Sequence, residues 1–225
     1  VLPSFATLSS SFGNIGSVMI NGGRLGGNMR GEIHADSGNI GSIVITRSDL
    51  GENSEITAEN LNLLQLSGSV LSGARVNIEE KLGTTIVGRN VLPSAVIEAG
   101  SGNFVSVGHD MLGDIKLGYQ ALPVVVTVGR DLGGLLSVDA NTMLTVRDDI
   151  LAGGTVSIGR DLTSLNVRDT VWGDVFVDEA GGVYTLGHLD GGILTTGFGL
   201  TNLTINGNAT NGLVQVGYTR GDDDT

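Results

Sequence analysis

Val126-Thr-Val128, Leu136-Ser-Val138, Leu144-Thr-Val146, Val156-Ser-Ile158 and Leu165-Asn-Val167 follow one another through the middle of this 225-residue chain. Each sets a polar residue between two aliphatic ones, which is the period-2 alternation of a short strand with one buried face. Followed outward, the spacing resolves into two interleaved columns. The first reads Ile20, Ile45, Leu66, Val87, Val107, Val128, Val146, Val167, Leu186 and Ile205. The second reads Ile33, Ile56, Ile78, Ile97, Leu117, Val138, Ile158, Val177, Leu194 and Val216. Members of a column recur about every twenty residues, and the two columns are offset by about ten. A fixed period of this size marks a solenoid, in which each repeat buries its apolar face against its neighbours.

The residues between the triplets are Gly, Asn, Asp and Ser, which suit tight turns. Gly133-Gly134, Gly153-Gly154 and Gly191-Gly192 are examples. No stretch keeps a 3.6-residue period for three turns, so no helix is expected. Strands this short cannot build a sandwich, but they can stack. One coil cannot fold alone. Ordering its backbone costs about 1–2 kcal/mol per residue, and each buried aliphatic side chain returns only about 1.5–3 kcal/mol. The predicted architecture is therefore all-β: a single parallel β-helix of about ten coils, about 20 residues per coil, with two main short strands per coil. The solenoid is expected over 13–217, between an extended N-terminal segment (1–12) and an acidic tail (218–225).

Composition agrees. Glycine counts 37 and aromatic residues make up only 4%, which suits narrow coils better than an enzyme core. The formal net charge of −12 argues against nucleic acid as a partner, because phosphate binding needs a basic surface. There is no cysteine, which removes disulfides and thiolate chemistry. No apolar run is long enough to span a membrane. The chain opens on Val1 rather than Met, which points to removal of a leader or to a longer parent chain.

The repeat also has an internal text. Gly13-Asn-Ile-Gly-Ser17 returns as Gly38-Asn-Ile-Gly-Ser42, and Val126-Thr-Val-Gly-Arg-Asp-Leu132 returns as Val156-Ser-Ile-Gly-Arg-Asp-Leu162. Weaker copies are Val105-Ser-Val-Gly-His-Asp-Met111 and Ile86-Val-Gly-Arg-Asn-Val-Leu92. In these phrases the chain resembles the Gly-rich β-solenoid repeats of large bacterial surface proteins, of the filamentous-haemagglutinin and autotransporter type. The resemblance covers about 13–217. It implies stalks, adhesin shafts and fibres, and it brings no catalytic residues.

Several surface features are candidates. Arg89, His109, Arg130, Arg147 and Arg168 follow first-column strands and are expected to stack into a ridge beside an acidic or amide ridge of Asp49, Asn90, Asp110, Asp131, Asp148 and Asp169. The ridge is either a self-compensating corner or a track for an acidic glycan. Val1, Leu2, Phe5, Leu8 and Phe12 form an apolar segment suited to strand addition on a neighbouring subunit. Met19 and Val44 are outward apolar residues in adjacent coils, and Val216 closes the last coil. Asn202 and Asn208 match the N-glycosylation pattern. No metal-ligand spacing, nucleophile elbow or phosphate loop is present, so no catalytic, cofactor or metal residue is named and no cofactor is expected. The expectation is a non-enzymatic, structural, extracellular or cell-surface protein whose partner is itself, stacked head to tail into a filament. An adhesin shaft that binds glycans is the alternative, and a polysaccharide-active β-helix enzyme stands third. Neither nucleic-acid binding nor membrane insertion is expected.

Overall fold

The structure is a computed structural model and describes residues 6–21 and 28–217. Val1, Leu2, Phe5 and the acidic tail lie outside these residues. Among the described residues every element is a strand: β1 (Ala6–Ser10), β2 (Ile15–Asn21), β3 (Gly31–Thr46), β4 (Glu55–Leu66), β5 (Arg75–Val87), β6 (Val96–Val107), β7 (Asp114–Leu117), β8 (Val124–Val128) and β9 (Leu135–Val138). They continue as β10 (Thr142–Val146), β11 (Thr155–Ile158), β12 (Leu162–Val171), β13 (Asp174–Val177), β14 (Gly181–Asp190), β15 (Ile193–Thr196), β16 (Leu200–Ile205), β17 (Ala209–Thr210) and β18 (Leu213–Val216). Every pairing is parallel, and all 18 strands belong to one sheet wound into a coil. This is a parallel β-solenoid of about nine turns with about 20 residues per turn.

The first face runs through β2, β3, β4, β5, β6, β8, β10, β12, β14 and β16. Its pairing places Ile20 over Ile45, and then Leu66, Val87, Val107, Val128, Val146, Val167, Leu186 and Ile205 in unbroken succession. All ten first-column residues therefore share one register. At about 4.8 Å per rung, the nine steps between them span about 43 Å.

The second face runs through β1, β3, β4, β5, β6, β7, β9, β11, β13, β15 and β18, and it corrects the second column. Ile33, Ile56, Ile97 and Leu194 stack with Val76, Ile115, Leu136, Val156, Val175 and Val214. Ile78, Leu117, Val138, Ile158, Val177 and Val216 form a separate inward line, two residues on, together with Ala35, Ala58, Ala99 and Thr196. A strand with two inward positions satisfies period 2 at both, and pairs such as Leu136 and Val138 or Val175 and Val177 fit it equally well.

A third ladder completes each turn. Single bridges join Met29, Leu50, Val70, Val91, Met111, Leu132, Ile150 and Val171, and the line continues through Leu189 to Ala209. From Leu50 to Leu189 its members are buried, so the core is enclosed on three sides. The repeated phrase shows how interchangeable those sides are. Residues 126–132 start on the first face, whereas their copy at 156–162 starts on the second. The ladder also begins earlier than residue 13, because Ala6–Ser10 pairs with Gly31–Ala35 as β1.

Two kinds of small residue make the corners. At Gly88, Gly108 and Gly129 a side-chain carbon would strike the backbone carbonyl of the preceding rung. Asn53, Gly73, Ser94, Gly153, Gly191 and Asn211 take left-handed backbone angles just before second-face strands. Directly after them, Ser54, Ala74, Ala95, Gly154, Gly192 and Gly212 keep the entry to each strand narrow, as Gly113, Gly134 and Gly173 do in the shorter corners. Core volume is shared between rungs. A Cβ at Gly102 would meet Leu117, and one at Gly181 would meet Tyr184 and Leu200.

Candidate functional site

The corner that follows the first face carries charged residues of both signs on successive rungs, and the structure divides them into lines with different tasks. On several rungs the residue just before the bridging position of the third ladder is an acceptor for the next rung. The Asp49 carboxylate accepts the Ser69 N–H at 2.6 Å, Asn90 Oδ1 accepts the Asp110 N–H at 3.0 Å, and Asp149 Oδ1 accepts the Thr170 N–H at 2.7 Å. Ser69 Oγ and Asp131 Oδ1 serve the Asn90 and Asp149 N–H groups in the same way. A shorter line on the opposite corner runs from Asn141 Oδ1 to the Asp161 N–H and from Asp161 Oδ1 to the Ala180 N–H. From Met29 to Val171 the third ladder has only single-residue bridges, so side chains take over backbone satisfaction beside it. The acidic line is therefore structural. Its members on the later rungs are Asp149 and Thr170, not Asp148 and Asp169 as the spacing suggested.

The basic ridge is split in two. Arg89, His109 and Arg130 do stack, each N–H donating to the carbonyl one rung back at 3.0, 3.0 and 3.1 Å. The same line then continues with Asp148 and Asp169. Arg130 stands 3.7 Å from Asp110, 4.0 Å from Asp131 and 3.9 Å from Asp148. Its side chain is 54% exposed, so each pair contributes only ~0–1 kcal/mol. Burial raises the Asp149 carboxyl above its ordinary range; the Thr170 N–H opposes this, while the charges of Asp169, Asp131 and Asp148 add to it.

Arg147 and Arg168 belong elsewhere. They follow Val146 and Val167 directly, at the position where earlier rungs have Gly88, Gly108 and Gly129. There they line a groove of about 510 Å³ on the outside of the first face, together with Thr145, Asn166, Thr185 and Asn206. Thr145, Asn166 and Thr185 lie in register on consecutive rungs. No carboxylate lines this groove. A second groove, of about 440 Å³ on the second face, has Glu79, Glu98, Lys116 and Asp139 in its wall, while Glu80 turns away to accept from Asn60 Nδ2 at 3.2 Å. His34 lies between Thr57 Oγ1 at 2.5 Å and Glu32 Oε2 at 3.3 Å on that face, far along the chain from His109 and His188. Among the described residues, no group of three or more His, Cys, Asp or Glu is placed to hold a metal ion, and no helix is long and apolar enough to cross a membrane.

The remaining candidates scatter. Leu8 sits in β1 over Ile33 and is 45% exposed, and Phe12 is almost fully exposed in the turn after it. Met19 stacks on Val44 on the outside of the first face. Val216 belongs to β18, the last second-face strand. Asn202 and Asn208 are both exposed, Asn202 on β16 and Asn208 donating its backbone N–H to His188 Nδ1 at 2.9 Å. Comparison with protein-family models, with curated proteins and with solved structures found no match to this chain.

Proposed function

We propose that this chain is a structural, extracellular or cell-surface protein whose solenoids stack end to end into a filament. The reading rests on one observation: the outermost described rungs keep the register and aliphatic pattern of the interior ones while leaving them half covered. At one end, among the described residues, Val18 and Ile20 of β2 have β3 as their only strand neighbour. At the other, again among the described residues, Leu203 and Ile205 of β16 lie over β14 alone, and Val214 and Val216 of β18 over β15 alone, with Val216 49% exposed. An edge of this kind presents unpaired N–H and C=O groups beside apolar side chains, which is a template for another parallel strand. The two ends differ, so their contact is heterologous, and a heterologous contact that does not close on itself grows into a fibre.

Sedimentation of the native-length chain tests this directly. The expected result is concentration-dependent growth that Ile205→Lys with Val216→Lys abolishes, with the circular dichroism spectrum unchanged. A wild-type chain that stays monomeric across the accessible concentration range contradicts it.

A further inference from the structure

The groove at Arg147 and Arg168 has an electrostatic character opposite to that of the rest of the chain. The formal net charge is −12, yet two guanidiniums stand on consecutive rungs there, about 4.8 Å apart along the axis. Neither carries an ion pair among the described residues. The carboxylates that follow them in sequence, Asp148 and Asp169, occupy the neighbouring line, where Asp148 faces Arg130. Stacked like charges without a counter-ion repel, and a bound oxyanion between them removes that repulsion. The planar guanidinium fork matches carboxylate and sulfate geometry.

The floor of the groove narrows the choice of anion. Thr145, Asn166 and Thr185 run along the axis as a row of hydroxyl and amide groups, and Asn206, on the arginines' own line two rungs beyond Arg168, adds a further amide. Such a row offers donors and acceptors repeatedly, at the spacing of the rungs, and so suits a ligand that itself repeats. On the adjoining outward line, Met143 and Val183 are 42% and 48% exposed and offer apolar surface to the C–H faces of sugar rings. We infer that Arg147 and Arg168, with Thr145, Asn166 and Thr185, bind an acidic polysaccharide lying along the rod. Its carboxylate or sulfate groups sit between the guanidiniums, and its hydroxyls contact the polar row. The nearest carboxylates, Asp148 and Asp169, stand on the neighbouring line, Asp148 3.9 Å from Arg130, and physiological salt screens the more distant acidity beyond about 8 Å. This site is independent of end-to-end stacking.

The test titrates the full chain at about 0.15 M salt with polygalacturonate, with dextran sulfate and with neutral dextran. At least one of the two polyanions is expected to bind, and neutral dextran is not. Binding by polygalacturonate alone assigns the site to carboxylates, and binding by dextran sulfate alone assigns it to sulfates. Arg147→Gln with Arg168→Gln is expected to weaken binding about tenfold or more, the loss of charge-assisted hydrogen bonds. Arg47→Gln with Arg75→Gln removes the same charge elsewhere and is expected to change affinity less than about twofold. An equal loss in both double variants would reduce the effect to bulk charge and overturn the assignment, as would a wild-type chain that binds neither polyanion. Matching thermal melts of the variants keep the comparison valid.

Discussion

Middle rungs and end rungs of this solenoid are written in the same residues and finish in different physical states. Leu66 and Val87 are each 1% exposed, whereas Ile20 and Ile205, in the same column and the same register, are only partly buried. On the second face, Val175 is fully buried and its counterpart Val214 is 38% exposed. The repeat determines which side chains point inward. Burial depends on having a rung on each side, so it is a property of the stack. Stability in such a structure is close to a sum of rungs and nearest-neighbour interfaces, and among the described residues the end rungs have one such interface where the middle rungs have two.

Truncation in the core gives the largest contrast. Leu66→Ala is expected to lower unfolding free energy by about 2–5 kcal/mol, read from urea melts, and Ile205→Ala by less than half of that. Equal losses would mean that the end rungs are already covered. The next contrast uses glycines on consecutive rungs. A Cβ at Gly41 would overlap the Gly16 carbonyl, whereas a Cβ at Gly16 meets nothing within 4 Å. Gly41→Ala is expected to cost about 1–3 kcal/mol, and Gly16→Ala less than about 0.5 kcal/mol. Because the Gly41 direction points at the rung before it, the Gly16 direction points off the end of the rod. Gly16→Ala is therefore expected to hinder filament growth while leaving the isolated rod intact, as sedimentation would show.

Smaller effects come from the corner line. Asp131→Ala leaves the Asp149 N–H without its acceptor and is expected to cost about 1 kcal/mol. The smallest effect has the opposite sign. The raised Asp149 carboxyl favours folding when protonated, and that contribution is lost as pH rises through its folded-state value. Asp149→Asn keeps the acceptor oxygen, as Asn90 does on its own rung, and removes the charge. A rise in Tm of about 1–3 °C at neutral pH is expected, and it should vanish in acid, where the wild-type carboxyl is itself protonated.

What could be read from the sequence follows from what each face requires. Both faces have two inward lines. On the first, the line from Ile20 to Ile205 is aliphatic on all ten rungs, whereas its companion passes through Thr85 and Tyr184, so alternation kept one register. On the second, Ala35, Ala58 and Ala99 hold one line on the early rungs and similar aliphatics fill both lines later, so the reading crossed from one to the other. The third ladder escaped because a single bridging residue such as Val91 or Ile150 has no alternating partner to announce a strand. Aligning whole turns would have exposed it, since Val70, Val91, Met111, Leu132 and Ile150 keep a constant distance from the first column. The same alignment brings out the small residues from Ser54 to Gly212 that precede each second-face strand. The basic ridge was set one residue off at Arg147 and Arg168, because the glycine that separates strand from ridge on earlier rungs is absent there. That displacement creates the groove, and only the stacked register reveals it.

Cryo-electron microscopy of the native-length chain, concentrated and imaged for fibres, tests the central claim most directly. The account predicts filaments whose axial density repeats at about 4.8 Å without interruption across subunit boundaries, Ile205 and Val216 of one subunit facing Val18 and Ile20 of the next. Separate rods of about 43 Å that never join, with their end rungs protected from hydrogen exchange as well as Leu66 and Val87, would contradict it.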